Sequence, residues 1–200
     1  MTATAQPVTR ERFEQGMTYE EYKAQMTRNR ERLEANEQNL QLGEEDLAPF
    51  KRLPQRLNVL VLAEDWCGDV IANLPILGRL AQESGKLNVR VFLRDQNLDI
   101  MDQYLKNGEY RSIPVFVFFD QDFNEVGRFT ERPDSVTELR ATKRQEIYQQ
   151  HPEFGSPDTP ATELPEDVRA NLTQALDAMR AETAEFANRE VIRELRAIVA

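Results

Sequence analysis

The sequence predicts an α/β fold, a central mixed sheet flanked by helices, with further helices at both ends. Two patterns carry this. The run Leu57-Asn58-Val59-Leu60-Val61-Leu62 is short, apolar and rich in β-branched residues, as in a strand buried on both faces. From Gly68 to about Glu83, apolar residues recur at Val70, Ile71, Leu74, Leu77 and Leu80, which is helical spacing. Leu87 to Leu93 is strand-like again. A strand–helix–strand unit of this length implies parallel pairing through a right-handed crossover. The second pattern is Val115 to Phe119, the most apolar run in the chain, followed by a turn at Gln121 to Asn124 and a returning strand, Glu125 to Thr130. That is a β-hairpin.

The remaining elements follow in chain order. Met1 to Gln15 is expected to be frayed. Thr18 and Glu21 have the form of a capping box, and the helix behind them, with Tyr19, Tyr22, Met26 and Leu33 on one face, is expected to run until Gly43 stops it. That face is thin, so the helix needs a partner surface. A short helix is expected over Glu44 to Leu53, turning Leu47, Phe50 and Leu53 inward and ending at Pro54. Past the second strand, Asn97 is expected to cap a helix to about Lys106, with Gly108 as its stop. After the hairpin, Pro133-Asp134-Ser135 opens a helix in which Ser135 and Glu138 can form a capping box. Residues 151–165 hold four prolines and one glycine, so they read as a linker or ordered loop. An amphipathic stripe from Val168 to Val199, weakest near Thr183, predicts a last helix or helix pair. The boundaries drawn are 1–54 for an N-terminal helical extension, 55–150 for the sheet domain, and 151–200 for a linker and C-terminal helical extension.

Composition excludes several functions. A net charge of −10 argues against nucleic acid and anionic membrane surfaces, both of which attract basic patches. Cys67 is the only cysteine and His151 the only histidine, which rules out an intramolecular disulfide, a cysteine-based zinc site and a multi-histidine metal centre. His151 reads as a loop residue in a His-Pro turn. No cofactor is implied. The first fifteen residues lack an apolar h-region and no stretch approaches membrane-spanning length, so the expected location is cytoplasmic.

The chemistry centres on Ala63-Glu64-Asp65-Trp66-Cys67-Gly68-Asp69-Val70. A strand delivers the lone cysteine to the first turn of a helix, where free backbone N–H groups and the helix dipole favour a thiolate. Glu64, Asp65 and Asp69 oppose that, and no Lys or Arg lies within the motif to compensate. Asp69 is also simply good chemistry for a first helical turn.

The order β-α-β-α-β-β-α, the Trp66-Cys67-Gly68 junction and the Ile113-Pro114 that opens the third strand together resemble the thioredoxin family over about residues 55–150. Pro75, eight residues after Cys67, Asp95-Gln96-Asn97 at the end of the second strand, and Arg111-Ser112-Ile113-Pro114 strengthen the match. The resemblance implies a thioredoxin-like fold. It also implies Cys67 as nucleophile, Trp66, Gly68 and Asp69 around it, and Pro114 as a cis-proline that leaves the Ile113 backbone free to pair with an extended peptide. Read without the resemblance, Pro114 is an ordinary trans proline at a strand start. Two departures stand out. The second cysteine of the family falls at Val70, and its buried acid near Val61.

Dithiol reduction is therefore excluded, because a mixed disulfide on Cys67 has no internal thiol to resolve it. Two readings remain. In one, Cys67 performs monothiol exchange with an external low-molecular-weight thiol. In the other, the groove is a redox-inactive peptide- or protein-binding module. An iron–sulfur site shared between two chains lacks the glycine pair expected after the proline-led strand. The expected partners are a protein or a small thiol or disulfide, and the terminal helices offer a homodimer surface.

Overall fold

The computed structural model describes residues 8–200. Its sheet has four strands in the order β2-β1-β3-β4, with β1 at Leu57–Ala63, β2 at Leu87–Leu93, β3 at Val115–Phe119 and β4 at Glu125–Thr130. β1 pairs parallel with β2, in register from Leu57↔Leu87 to Ala63↔Leu93, and antiparallel with β3. β3 and β4 form the expected hairpin, with a register shift at Phe118/Phe119. Every residue of β1 and β3 is buried, which is why both read as unbroken apolar runs.

Helix α1 (Arg10–Glu14) shows that the start of the chain is not frayed from residue 8 on, because Val8 and Phe13 are buried in the sheet's core; residues 1–7 of that expectation lie outside the described residues. The expected long helix after Thr18 is two helices, α2 (Tyr19–Gln25) and α3 (Arg30–Asn39). The Thr18–Glu21 capping box forms as predicted. The break comes at Met26–Asn29, where Thr27, Arg28 and Asn29 bond to Asp65 instead of continuing the helix. Helix α4 (Glu44–Lys51) follows with Leu47 and Phe50 buried.

Helix α5 (Gly68–Ser84) closes on Gly85 in the left-handed conformation. Pro75 lies inside it and has no N–H to offer the carbonyl of Ile71 one turn back. The Asn36 amide of α3 donates to that carbonyl at 2.9 Å. The proline thus creates an acceptor that α3 satisfies. Tyr19 of α2 packs where a side chain on Gly78 would sit. Tyr22, Leu33 and Phe50, from α2, α3 and α4, are fully buried in the same core as the sheet. Burying side chains of this size contributes roughly 1.5–3 kcal/mol each, so these helices belong to the sheet's core.

After β2 comes a 3₁₀ turn at Arg94–Gln96 and then only a short helix, α6 (Leu98–Met101), in place of the helix expected to Lys106. Ile100, Met101 and Tyr104 are buried and Leu105 is partly buried. Lys106 instead exchanges backbone hydrogen bonds with Tyr110, and this small bridge ends the helical spacing.

The remaining helices are α7 (Asp134–Gln150), α8 (Glu166–Glu182) and α9 (Ala184–Ile198). Helix α7 has no side-chain cap; the Ser135 hydroxyl bonds Glu190 in place of the expected partner Glu138. Residues 151–165 form a loop with two 3₁₀ turns. The α8–α9 break falls at Thr183, whose hydroxyl bonds back to the Met179 carbonyl at 2.9 Å.

Two compact units result, Met1–Arg132 with Val191–Ala200, and Pro133–Glu190. In the first unit the end of α9 supplies Val191, Ile192 and Leu195 to the sheet's core, and Ile198 lies against Gly127 of β4. The second has its own small core of Tyr148, Phe154 and Leu172, with His151 stacked on Phe154. Among the described residues, no helix is long and apolar enough to cross a membrane.

Candidate functional site

Cys67 caps the N-terminus of α5 in an extended conformation. Its amide donates to the Glu64 carbonyl at 3.2 Å, and its own carbonyl accepts from Ile71 at 3.1 Å. A tight turn therefore joins the end of β1 to the first turn of the helix. The side chain is half-buried, because it points back toward the start of β3. Sγ lies 3.5 Å from the Ile113 carbonyl. The Ile113–Pro114 peptide is cis, and Ile113 itself is buried. Trp66 is 44% exposed beside the sulfur, with the Arg94 guanidinium 4.9 Å from its ring centre. Gly68 is open, with nothing within 4 Å of where a Cβ would stand. Of the residues named from the sequence, the fold brings Ile113, with Pro114 behind it, to the sulfur from across the chain, while Trp66, Gly68 and Asp69 flank it along the chain.

Burial pushes the Cys67 thiol above its ordinary pKa. The nearby backbone N–H groups of Val70 and Asp69 pull it down, the Asp69 charge pushes it up, and Arg94 pulls it down. Burial was absent from the sequence argument, and it decides the sign.

The cations missing from the motif come from elsewhere in the chain. Arg132, just past β4, pairs with Asp69. Its other branch reaches Glu131 at 2.9 Å, and Lys106 holds the second Glu131 oxygen at 2.7 Å. Burial pushes the Glu131 carboxyl up, but Lys106 and Arg132 bring it below its usual value. The Glu131 backbone is in the left-handed region, φ 62°, which is costly for a residue with a Cβ. Two hydrogen bonds hold it there. Its amide donates to the Pro114 carbonyl at 2.7 Å, and its carbonyl accepts from the buried Asn73 amide at 2.8 Å. Asn73 therefore ties α5 to the Pro114 segment through Glu131. Its polar side chain amid the apolar face of α5 was the one signal in the sequence pointing to such a tie.

The other side of the turn belongs to the N-terminal helices. One Asp65 oxygen, Oδ2, accepts from the Thr27 amide (2.8 Å), the Thr27 hydroxyl (3.1 Å) and the Arg28 amide (3.0 Å). The Asp65 carbonyl accepts from the Asn29 side-chain amide at 2.9 Å. Beneath the turn, Glu64 is buried and takes the Asp95 amide at 2.8 Å. Burial raises its carboxyl pKa; the hydrogen bond from the Asp95 amide and the Arg94 charge pull it down, and the Asp95 and Asp65 charges push it up. The Tyr22 hydroxyl is buried and has no hydrogen-bond partner among the described residues. Burial, then the negative charge of Asp65, Glu64 and Cys67, drives its phenol far above the usual range. Among the described residues, no cluster of three or more His, Cys, Asp or Glu could hold a metal ion.

A family model described as Thioredoxin matches residues 16–145. The match takes in α2, α3 and α4 as well as the sheet. No curated protein matches the chain. Among solved structures, a Pseudomonas aeruginosa protein of unknown function aligns over 94% of this chain and 93% of its own at 22% identity, TM-score 0.65. An HIV epitope-scaffold aligns over 94% of both chains at 19% identity, TM-score 0.62. The germline-specific thioredoxin Deadhead of Drosophila melanogaster aligns over 45% of this chain and 83% of its own at 25% identity, TM-score 0.33. The first two likenesses carry the fold across nearly the whole length, terminal helices included.

Proposed function

This chain belongs to the thioredoxin family, and on that premise we propose that it is a cytoplasmic monothiol thiol–disulfide oxidoreductase working through Cys67. The observation that carries the reading is the placement of one reachable sulfur at the N-terminus of α5, 3.5 Å from the carbonyl that precedes cis-Pro114. In the first step the Cys67 thiolate attacks one sulfur of a mixed disulfide, forms a new S–S bond and expels the other half as a thiolate, which takes a proton from solvent. Val70 is fully buried where the family's second cysteine would stand, so no internal thiol follows. A low-molecular-weight thiol, as its thiolate, then attacks the mixed disulfide and returns Cys67. Trp66 flanks the entering group, and Ile113 and Pro114 line the opposite wall. The partners are a protein or small disulfide and a small thiol, with the terminal helices available for self-association.

The test is turnover of a small mixed disulfide with glutathione by wild type and by Cys67→Ser. Wild-type activity well above that of the variant is expected. Because burial raises the thiol pKa, the rate should still be climbing with pH past about 8.5, the value of a free thiol. Equal rates for the two proteins would remove the proposal.

A second reading, a redox-inactive binding module, draws on the same raised thiol pKa, which leaves less thiolate at neutral pH. It expects Cys67→Ser to retain every protein partner of the wild type in pull-down.

A further inference from the structure

Asp65 stands two residues before Cys67, and its hydrogen bonds go to a segment nearly forty positions earlier in the chain. Four bonds run from Thr27, Arg28 and Asn29 to this single residue, three to Oδ2 and one to its carbonyl. A carboxylate oxygen gathered by two backbone amides and a hydroxyl is a directional anchor, because each donor fixes an angle as well as a distance. The donor segment is shaped for the purpose. Asn29 adopts φ 56°, a left-handed conformation that Asn tolerates better than most residues, and its backbone carbonyl starts α3 by accepting from Leu33. The helix expected through this region is broken where the anchor lies. Helices α2 and α3 are fixed in turn, by Tyr19 against Gly78, by Asn36 on the Ile71 carbonyl and by Arg79 on the Glu37 carbonyl at 2.8 Å.

We propose that Asp65 is a positioning residue for Cys67: the Thr27–Asn29 segment grips it so that the Trp66–Cys67 turn keeps the sulfur half-buried against the Ile113 carbonyl. Its catalytic significance rests on the thiol-exchange reading above; the mechanical part does not. With the grip cut, the turn loosens, water reaches Sγ, and the burial that now disfavours the thiolate weakens. The backbone N–H groups at the start of α5 remain, since they belong to the helix itself. Small alkylating agents should then react faster at neutral pH. A disulfide substrate that needs the sulfur aimed beside Ile113 should turn over more slowly.

Two full-length variants test this. Asp65→Asn removes the carboxylate. The double variant Thr27→Pro/Asn29→Gly removes three of the four donors, the amide and hydroxyl of residue 27 and the side-chain amide of residue 29. It keeps every charge, follows a Met26 already extended as a residue before proline must be, and leaves a residue that accepts the left-handed conformation at position 29. For each, the pH dependence of Cys67 alkylation by iodoacetamide is measured beside thermal melting and mixed-disulfide turnover. Both variants are expected to shift the alkylation midpoint to lower pH and raise the rate at pH 7.5 several-fold, while turnover falls. If Asp65→Asn fails to fold, the double variant decides alone. An unmoved midpoint in the folded double variant overturns the proposal, even if Asp65→Asn shifts its own, because the effect would then be the loss of a charge. Absence of wild-type turnover would defeat the thiol-exchange reading, and the alkylation profiles would still decide the positioning role.

Discussion

Asp65 and Asp69 stand two residues before and two residues after the same thiol, and the fold treats them differently. Asp65 is met by neutral donors from one loop, which fix geometry without cancelling a unit of charge. Asp69 is met by the Arg132 guanidinium, which cancels charge and is shared with Glu131. One carboxylate holds the turn in place. The other would repel a thiolate and has a cation brought to it from beyond β4. A count of acidic residues along the motif treats the two alike, and the partners separate them.

That contrast breaks most readily at Arg132. Arg132→Ala leaves Asp69 and Glu131 without their guanidinium in a half-buried site. It is expected to cost about 1–2 kcal/mol in urea unfolding and to slow Cys67 alkylation at neutral pH, since the freed Asp69 charge opposes the thiolate. Asp69→Asn should do the opposite to the thiol: its midpoint moves down and alkylation quickens, by less than tenfold if the shift is under one pH unit. A slower rate in Asp69→Asn would mean that Arg132 acts on Cys67 by some route other than Asp69.

A smaller effect is expected at Glu64, which touches neither carboxylate. Burial raises its folded-state pKa, so the folded state prefers the protonated carboxyl. The resulting stability is complete below the unfolded value near 4.3 and is lost as pH rises through the folded value. Glu64→Gln keeps an oxygen for the Asp95 amide and should be the more stable protein at pH 7, with the advantage gone by about pH 4. Melting curves at both pH values check this. The smallest change is expected from Tyr22→Phe. It removes a buried hydroxyl that has no hydrogen-bond partner among the described residues, so stability should stay within about 1 kcal/mol of wild type and lean upward. A larger loss would reveal a bond made through a bound water.

The sheet, α5 and the hairpin were legible because each rests on a run of apolar residues whose period selects one conformation. The Thr18–Glu21 cap was legible because it is local. The break between α2 and α3 was not, since helical spacing runs through Met26 and the competing acceptor, Asp65, lies far along the chain. The same holds for α6, cut short by a bridge between Lys106 and Tyr110. At the site, the Cys67 sulfur and the neighbouring Ile113–Pro114 segment could be named from the motif. The compensating cations could not, because Arg132 and Arg94 reach Asp69 and Trp66 only through tertiary structure. The sign of the Cys67 shift stayed open for a similar reason. Dipole and charges were visible in the sequence, while burial against β3 appears only in the folded chain.

On the proposed reading, Cys67 exchanges thiols and has no internal partner to release what it captures. Intact-mass analysis of the wild-type protein, mixed with excess oxidised glutathione and no reductant, tests it directly. One glutathione per chain, held stably on Cys67 and discharged when reduced glutathione is added, is the predicted result. A protein that acquires no adduct across the pH range in which its thiol ionises would contradict the claim.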